Sequence, residues 1–108
     1  MIILGIESSC DETAVAIVED GCTVLSNTIA STKEVFSMSG GVVPEDAARR
    51  QVECILPVLH ASLKESGLDI ADIDAIAVTR GPGLLGSLLV GTVCARTIST
   101  LWKKPLID

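Results

Sequence analysis

The feature that most constrains the fold is the segment 2–18, in which two apolar runs flank a short polar stretch. Residues 2–6 and 14–18 are both rich in branched aliphatic side chains, as β-strands are. The seven residues between them, ESSCDET, are too few for the helix that would join parallel strands. We therefore predict that the two strands pair as an antiparallel hairpin around a polar turn.

This polar turn carries the best candidates for chemistry in the chain. Hydroxyls and free backbone N–H groups suit phosphate oxygens, and the turn has hydroxyls on Ser8, Ser9 and Thr13. The carboxylates of Asp11 and Glu12 can hold a hydrated cation or accept a proton. The alternative is a hairpin loop that is polar only because loops face water. The residues of the turn leave both interpretations open.

The rest of the chain reads as one more strand followed by two helix–strand pairs. Turn residues, prolines and glycines mark the boundaries, and apolar spacing distinguishes helices from strands. The predicted elements are strand 23–30, loop 31–41, helix 44–66, strand 75–79, turn 80–83, helix 84–101 and strand 106–107.

The two predicted helices differ in the pattern of their apolar residues. The first helix has one apolar face at helical spacing, formed by Ala48, Val52, Ile55, Leu56, Leu59 and Leu63. Pro57 should bend this helix, and Gly67 should end it. In the second helix, Gly86 and Gly91 each cost about 1 kcal/mol relative to Ala, so they indicate close packing or function.

Length, charge and cysteine usage narrow the class of protein. The 108 residues suit one small domain, 1–108. A net charge of −6 with scattered basic residues argues against a free-standing nucleic-acid binder. The four cysteines lack C-x-x-C spacing, and His60 has no second metal ligand at a suitable spacing, so we expect buried free thiols and no metal site. The N-terminus lacks the basic segment of a signal peptide, so we expect a cytoplasmic protein without membrane contact.

The order of elements, β-β-β-α-β-α-β, predicts an α/β fold with a mixed sheet. Its first three strands are antiparallel, and crossovers join the later ones. This order matches the ribonuclease H-like half-domain of the actin, sugar kinase and Hsp70 type of ATPase fold. In that fold the first hairpin turn contacts phosphate, so the analogy favours a functional turn here.

Five segments resemble one family closely, in order and without large gaps. They are GIESSCDETAVAIV (5–18), GGVVPE (40–45), ILPVL (55–59), DIDAIAVTRGPGLLGSLLVG (72–91) and KPLI (104–107). Together they resemble the N-terminal part of the tRNA threonylcarbamoyladenosine transferase family, formerly named O-sialoglycoprotein endopeptidase or glycoprotease. The noncatalytic partner subunit of that pathway typically lacks the SSCDET and GGVVPE motifs, so the resemblance is to the catalytic subunit.

The resemblance implies transfer of a threonylcarbamoyl group from its adenylate to the exocyclic amine of the adenosine beside the tRNA anticodon. It assigns catalysis to Glu12, with Asp11 supporting it or a cation through water. It also implies that Ser8, Ser9 and Thr13 line the phosphate side of the site. Glu45 of GGVVPE would face the same cleft, although an acid in a first helical turn is an equally good explanation.

Family members are longer, and their metal-binding histidines lie beyond the region that this chain resembles. The resemblance therefore implies an N-terminal fragment, inactive alone, with no metal ligand of its own. In the full-length family it implies iron or another divalent metal and a nucleotide, either threonylcarbamoyl adenylate or ATP. Two residues depart from the family pattern: Gln51 stands where a histidine is usual, and Asp46 where an apolar residue is usual.

The implied partners are the paralogous noncatalytic subunit, the ATPase subunit of the pathway and, through the full complex, tRNA. A second hypothesis is an assembly module whose two helices bind a partner subunit or a second copy of the chain. A third is a glycoprotease or metalloendopeptidase, against which the chain offers neither a histidine-plus-serine constellation nor H-E-x-x-H. A kinase of the same superfamily is a weaker alternative.

Overall fold

A computed structural model describes residues 1–9, 12–31 and 44–108, apart from the side chains of residues 31 and 44–47. Among these residues the predicted order of elements is confirmed, and a short 3₁₀ turn, Ile70–Asp72, is added. The elements are β1 Ile2–Glu7, β2 Glu12–Glu19, β3 Thr23–Ser31, α1 Pro44–Ser66, β4 Ala75–Val78, α2 Leu85–Trp102 and β5 Leu106–Ile107. The predicted loop 31–41 lies outside the described residues, except for Ser31, which ends β3.

The strands form one five-stranded mixed sheet in the order β3-β2-β1-β4-β5. The β1–β2 and β2–β3 pairs are antiparallel, which confirms the predicted hairpin. The β1–β4 and β4–β5 pairs are parallel, as the predicted crossovers require. β1 lies at the centre of the sheet, where Ile6 is opposite Val15 on one side and Val78 on the other. The turn that follows β1 therefore lies beside the loop that follows β4.

Side chains alternate along β1 and β2 between a buried face and a more open one. Leu4, Ile6, Val15 and Ile17 are buried, and they pack with residues of both helices in one apolar core. Both helices lie on this face, where they also contact each other. The residues between them in sequence, including Glu7 and Glu12, belong to the opposite face.

α1 is rotated relative to the apolar face that the sequence predicts. Val52 and Leu56 belong to the predicted apolar face but are 62% and 64% exposed, so that face is only partly buried. The residues that α1 buries against the sheet include two polar ones and are Gln51, Ile55, Val58, Leu59 and Ser62. The physical reason is that both polar side chains find partners there. The Ser62 hydroxyl donates to the Val15 carbonyl and bonds the Ser26 hydroxyl, and the Gln51 side chain donates to backbone carbonyls at the first hairpin turn.

α2 has the length and composition of a helix that could cross a membrane, with a mean hydropathy of 1.2 over Leu85–Trp102. The core helix of a globular domain has the same properties. In this fold α2 is buried along one face, by Ser87, Gly91, Ala95 and Ile98, and 28% of the helix is buried in all.

The end of α1 and the state of the cysteines were also predicted from the sequence. Gly67 ends α1 as predicted, in a left-handed conformation with φ of 74°. Cys22, Cys54 and Cys94 are free thiols, while Cys10 lies outside the described residues. The expectation of buried thiols is wrong for Cys22, which is exposed because it lies in the turn between β2 and β3.

Candidate active site at the first hairpin turn

The turn between β1 and β2 is shorter than the polar segment 7–13. Glu7 ends β1, and Glu12 and Thr13 begin β2, so the turn itself spans residues 8–11. Ser8 and Ser9 are described, whereas the predicted site residue Asp11 lies outside the described residues. Glu45 lies in the first turn of α1, but its side chain also lies outside the described part.

Ser8 fastens the turn to α2. Its buried hydroxyl donates to the Ser87 carbonyl at 2.6 Å and accepts from the Gly91 N–H at 3.0 Å. These two backbone groups are four residues apart, the pair that bonds within a regular helix. The Ser8 hydroxyl thus hydrogen-bonds both backbone groups of one i, i+4 pair in α2. A Cβ at Gly91 would lie 2.4 Å from the Ser8 oxygen, so glycine is needed for this contact.

The loop between β4 and α2 contacts the turn through its backbone. The Leu84 N–H donates to the Ser9 carbonyl at 2.7 Å. A Cβ at Gly83 would lie 2.4 Å from that same carbonyl oxygen, so the two backbones meet where a side chain has no room. The peptide bond between Gly81 and Pro82 in this loop is cis. The predicted sharp turn 80–83 is confirmed as the connection, and it forms one wall of the site.

Glu7 supports the turn from the open face of the sheet. Its half-buried carboxylate accepts from the Ser9 N–H at 2.6 Å and from the Thr79 hydroxyl at 2.5 Å. Partial burial raises the pKa of Glu7, but the hydrogen bonds from Ser9 and Thr79 outweigh it and leave the pKa below its ordinary value. Glu7 was not among the predicted site residues, although its position at the end of a buried strand was a usable signal.

Gln51 supports the turn from the other face. It is fully buried, and its side-chain nitrogen donates to the carbonyls of Ser8 at 3.2 Å and Glu12 at 3.0 Å. The sequence marks Gln51 only as a departure from the family pattern, and it was not predicted as a site residue. A lone glutamine four residues before Ile55, on the buried stripe of α1, was the signal that could have identified it.

The other predicted site residues, Ser9, Glu12 and Thr13, differ in how far their side chains are buried. Thr13 is buried on the helix side of the sheet, and among the described residues its hydroxyl has no hydrogen-bond partner. Glu12 and Ser9 are half-buried. This geometry does not test whether Ser8, Ser9 or Thr13 contacts a phosphate, so those roles stay predictions. Within residues 1–9, 12–31 and 44–108, no three His, Cys, Asp or Glu side chains cluster as metal ligands do.

A second feature, the interhelix groove, lies between α1 and α2. It encloses about 580 Å³, and Val52, Leu56, Leu89 and Val93 present exposed or partly exposed apolar side chains to it. Gly86 and Ala48 bring the helices close together at one end, since a Cβ on Gly86 would lie 3.4 Å from the Ala48 Cβ. Cys94 also lines the groove, and burial raises the pKa of its thiol.

Comparison with solved structures supports the fold. YeaZ from Pseudomonas aeruginosa superimposes with a TM-score of 0.75 over 99% of this chain and 43% of its own, at 19% identity. A second structure, described as an uncharacterized protein with similarity to peptidase YEAZ from the same organism, gives a TM-score of 0.69 at 21% identity over 98% of this chain and 41% of that one. At these identities the likeness shows the fold alone, and it confirms the predicted α/β class.

Sequence comparison gives closer matches. The tRNA N6-adenosine threonylcarbamoyltransferase of Thermomicrobium roseum is 59% identical over 107 residues, 99% of this chain and 29% of the relative. The protein of the same name from Syntrophus aciditrophicus is 54% identical over 99% of this chain and 32% of its own length. The chain thus spans about a third of the length of these relatives. The family model described as tRNA N6-adenosine threonylcarbamoyltransferase matches residues 23–108, most of the chain, and the chain therefore belongs to the tRNA N6-adenosine threonylcarbamoyltransferase family.

Proposed function

We propose that this chain supplies the first hairpin turn to the active site of a tRNA N6-adenosine threonylcarbamoyltransferase. The observation that carries the proposal is the support of this turn by four surrounding parts of the fold. Side chains or backbone from β1, α1, α2 and the loop before α2 all hydrogen-bond to residues 8–12. Such support suits a site whose geometry must be fixed before the substrate binds. Since the other substrate is a tRNA, we place the reaction in the cytoplasm.

The proposed reaction joins an amine to an acyl group. The exocyclic nitrogen of adenosine attacks the carbamoyl carbon of threonylcarbamoyl adenylate, and a C–N bond forms. The bond between that carbon and the phosphate oxygen breaks, AMP departs, and the attacking nitrogen loses a proton. The amine is a neutral nucleophile, so the active site must orient it and receive its proton.

We assign the proton-accepting or positioning role to Glu12, with Asp11 supporting it. Glu12 begins β2 on the open face of the sheet, at the edge formed by the turn and by Glu7. Gln51 holds its carbonyl, so the backbone that carries the carboxylate is fixed. A fixed carboxylate at a sheet edge can approach a substrate that lies over the turn.

We assign the adenylate phosphate to the same turn. Ser9 is the accessible hydroxyl of the three predicted there, whereas Ser8 and Thr13 are buried and would contribute through backbone N–H groups. Glu45, at the N-terminus of α1, is proposed to face the same cleft. The family also implies a divalent metal, but the described residues do not form a metal site, so no step is assigned to one.

The test uses a chimaera in which this chain replaces the matching 107-residue segment of the Thermomicrobium roseum relative. In this chimaera Glu12→Gln keeps the shape of the side chain but removes its charge, and we expect transfer to tRNA to fall by about 10²-fold or more. Glu19→Gln, at the far end of the same strand, is the matched control and should leave transfer unchanged. Normal turnover by the Glu12 variant would remove that residue from the mechanism.

We further propose that the interhelix groove binds a noncatalytic subunit of related fold. The groove's apolar side chains Leu56, Leu89 and Val93 are each more than half exposed. Adjacent exposed apolar side chains are typical of a surface that binds another protein. Two helices that present such a groove can pack against a helix pair of similar shape.

Light scattering on the purified chain, with and without that subunit, tests this proposal. Leu89→Glu should abolish the complex, while Leu101→Glu, 70% exposed on α2 but outside the groove, should leave it intact. A complex that survives Leu89→Glu would place the interface elsewhere. A homodimer that the partner does not displace would favour a second copy of the chain as the occupant.

A further inference from the structure

Gln51 joins the two ends of the hairpin turn from the helix side of the sheet. Its side chain projects from the second turn of α1, and its nitrogen reaches the Ser8 carbonyl, where the turn begins, and the Glu12 carbonyl, where β2 starts. These two carbonyls are separated by three intervening residues. A single amide group therefore bridges the base of the turn.

The orientation of this amide follows from its partners. Both are backbone carbonyl oxygens, which only accept hydrogen bonds, so the side-chain nitrogen, with two hydrogens, must face them. The side-chain oxygen then points elsewhere, and within the described part of the chain it has no hydrogen-bond partner although it is buried.

The glutamine at this position has a cost in stability as well as a gain. Its buried oxygen has no hydrogen-bond partner among the described residues, which is unfavourable, but an apolar side chain of similar length would leave the two turn carbonyls without their donor instead. Ile55 and Leu59, on the same face of α1, show that this face accepts apolar residues. What an apolar side chain cannot do is hold the two carbonyls of the turn.

We infer that Gln51 is a positioning residue for transfer, holding the Glu12 backbone at a fixed distance from the Ser8–Ser9 side of the turn. It does not touch the reacting atoms, because it lies on the helix side of the sheet, whereas the Glu12 side chain belongs to the open side. This inference rests on the proposed function, and the experiment separates the two.

The experiment compares two variants that remove buried hydrogen bonds between α1 and the sheet. Gln51→Met has a similar length but no donor, so it frees both turn carbonyls. Ser62→Ala is the matched control, since it removes the bonds to Val15 and Ser26 further along the same helix, away from the turn. Both are placed in the Thermomicrobium roseum chimaera and assayed at a temperature where each is folded by circular dichroism.

We expect kcat to fall about 10- to 100-fold in Gln51→Met with KM for the adenylate unchanged, because a misplaced group slows the chemical step more than it weakens binding. Ser62→Ala should change kcat less than twofold. If Gln51→Met does not fold, Gln51→His, which keeps one N–H donor, takes its place with a smaller expected loss. Equal kcat values in the Gln51 and Ser62 variants would overturn the inference and leave Gln51 a structural residue.

Hydrogen exchange on the 108-residue chain supplies the independent readout. Gln51→Met should raise exchange in the peptide that contains residues 8–12 at least tenfold, while Ser62→Ala should leave that peptide unchanged. Unchanged exchange in Gln51→Met would overturn the inference even if transfer were lost. If the unmodified chimaera transfers nothing, the proposed function fails and the catalytic part of this inference fails with it, yet exchange still decides whether Gln51 holds the turn.

Discussion

The contact between Gly91 and Ser8 gives the sharpest test of how the turn is held. In Gly91→Ala the new Cβ would lie 2.4 Å from the Ser8 oxygen and 3.3 Å from its Cβ. The Ser8 side chain lies between the turn and α2, bonded to the Ser87 carbonyl and the Gly91 N–H. It must therefore move, and it loses both hydrogen bonds when it does.

The size of the effect follows from three terms. Overpacking in a buried site costs about 1–3 kcal/mol. The two hydrogen bonds contribute about 1 kcal/mol each, and their loss is partly offset because the Gly91 N–H and the Ser87 carbonyl are placed to bond each other within the helix. Alanine is about 1 kcal/mol better than glycine inside a helix. We therefore expect Gly91→Ala to lower the free energy of unfolding by about 2 kcal/mol.

Urea unfolding followed by circular dichroism measures this change, which corresponds to a fall in midpoint of about 1–2 M. Gly86→Ala on the same helix is the control, because among the described atoms its Cβ would meet only the Ala48 Cβ, at 3.4 Å, and it should be neutral or stabilising. In the double variant with Ser8→Ala, the clash is removed and Gly91→Ala should cost less than in the unmodified chain. If Gly91→Ala proves as stable as Gly86→Ala, the proposed role of Ser8 as a bridge to α2 is wrong.

Three further predictions concern Gly83, Glu7 and the free thiols. Gly83→Ala would place a Cβ 2.4 Å from the Ser9 carbonyl, so it should destabilise the chain by about 1–3 kcal/mol in the same urea assay. The folded-state pKa of Glu7 lies below the ordinary 4.5, so the stability that its carboxylate contributes is present above pH 4.5 and is lost as the pH falls through the lowered pKa. The difference in unfolding free energy between the unmodified chain and Glu7→Gln should therefore shrink on acidification. A difference that stays constant with pH would contradict this. Cys22 should react with a maleimide before Cys94, because Cys22 is exposed while burial raises the pKa of the Cys94 thiol. Mass spectrometry of the labelled peptides measures the two rates, and equal rates would contradict the packing of α2.

The fold was predictable because its signals are local and repeated. The hairpin follows from two apolar runs separated by too few residues for a crossover, and each later element is marked by a proline, a glycine or an apolar period. Gly91 was also predicted as a point of close packing or of function, and the structure confirms the close packing. What packs there, the Ser8 hydroxyl, could not be predicted, since the two residues are far apart in sequence.

The face of α1 was predicted less well because it carries polar residues. A rule that seeks the most apolar stripe selects Val52 and Leu56 and rejects Gln51 and Ser62. The fold does the reverse, since each rejected side chain has a backbone carbonyl to bond on the sheet. Apolar periodicity therefore found the helix but not its orientation, and the residues it misplaced are those of the interhelix groove.

From the sequence, the turn residues group by chemical type, as hydroxyls and carboxylates, but strand geometry places these residues on two opposite faces of the sheet. Side chains alternate between faces along a strand, and the buried series Leu4 and Ile6 continues to Ser8, just as Val15 and Ile17 extend back to Thr13. Both hydroxyls therefore belong to the helix side, while Glu7 and Glu12 fall on the open side. In our proposal the helix side holds the turn and the open side meets the substrate. Period-two alternation applied to residues 4–8 and 12–17 is enough to separate these tasks, without knowledge of any contact between distant parts of the chain.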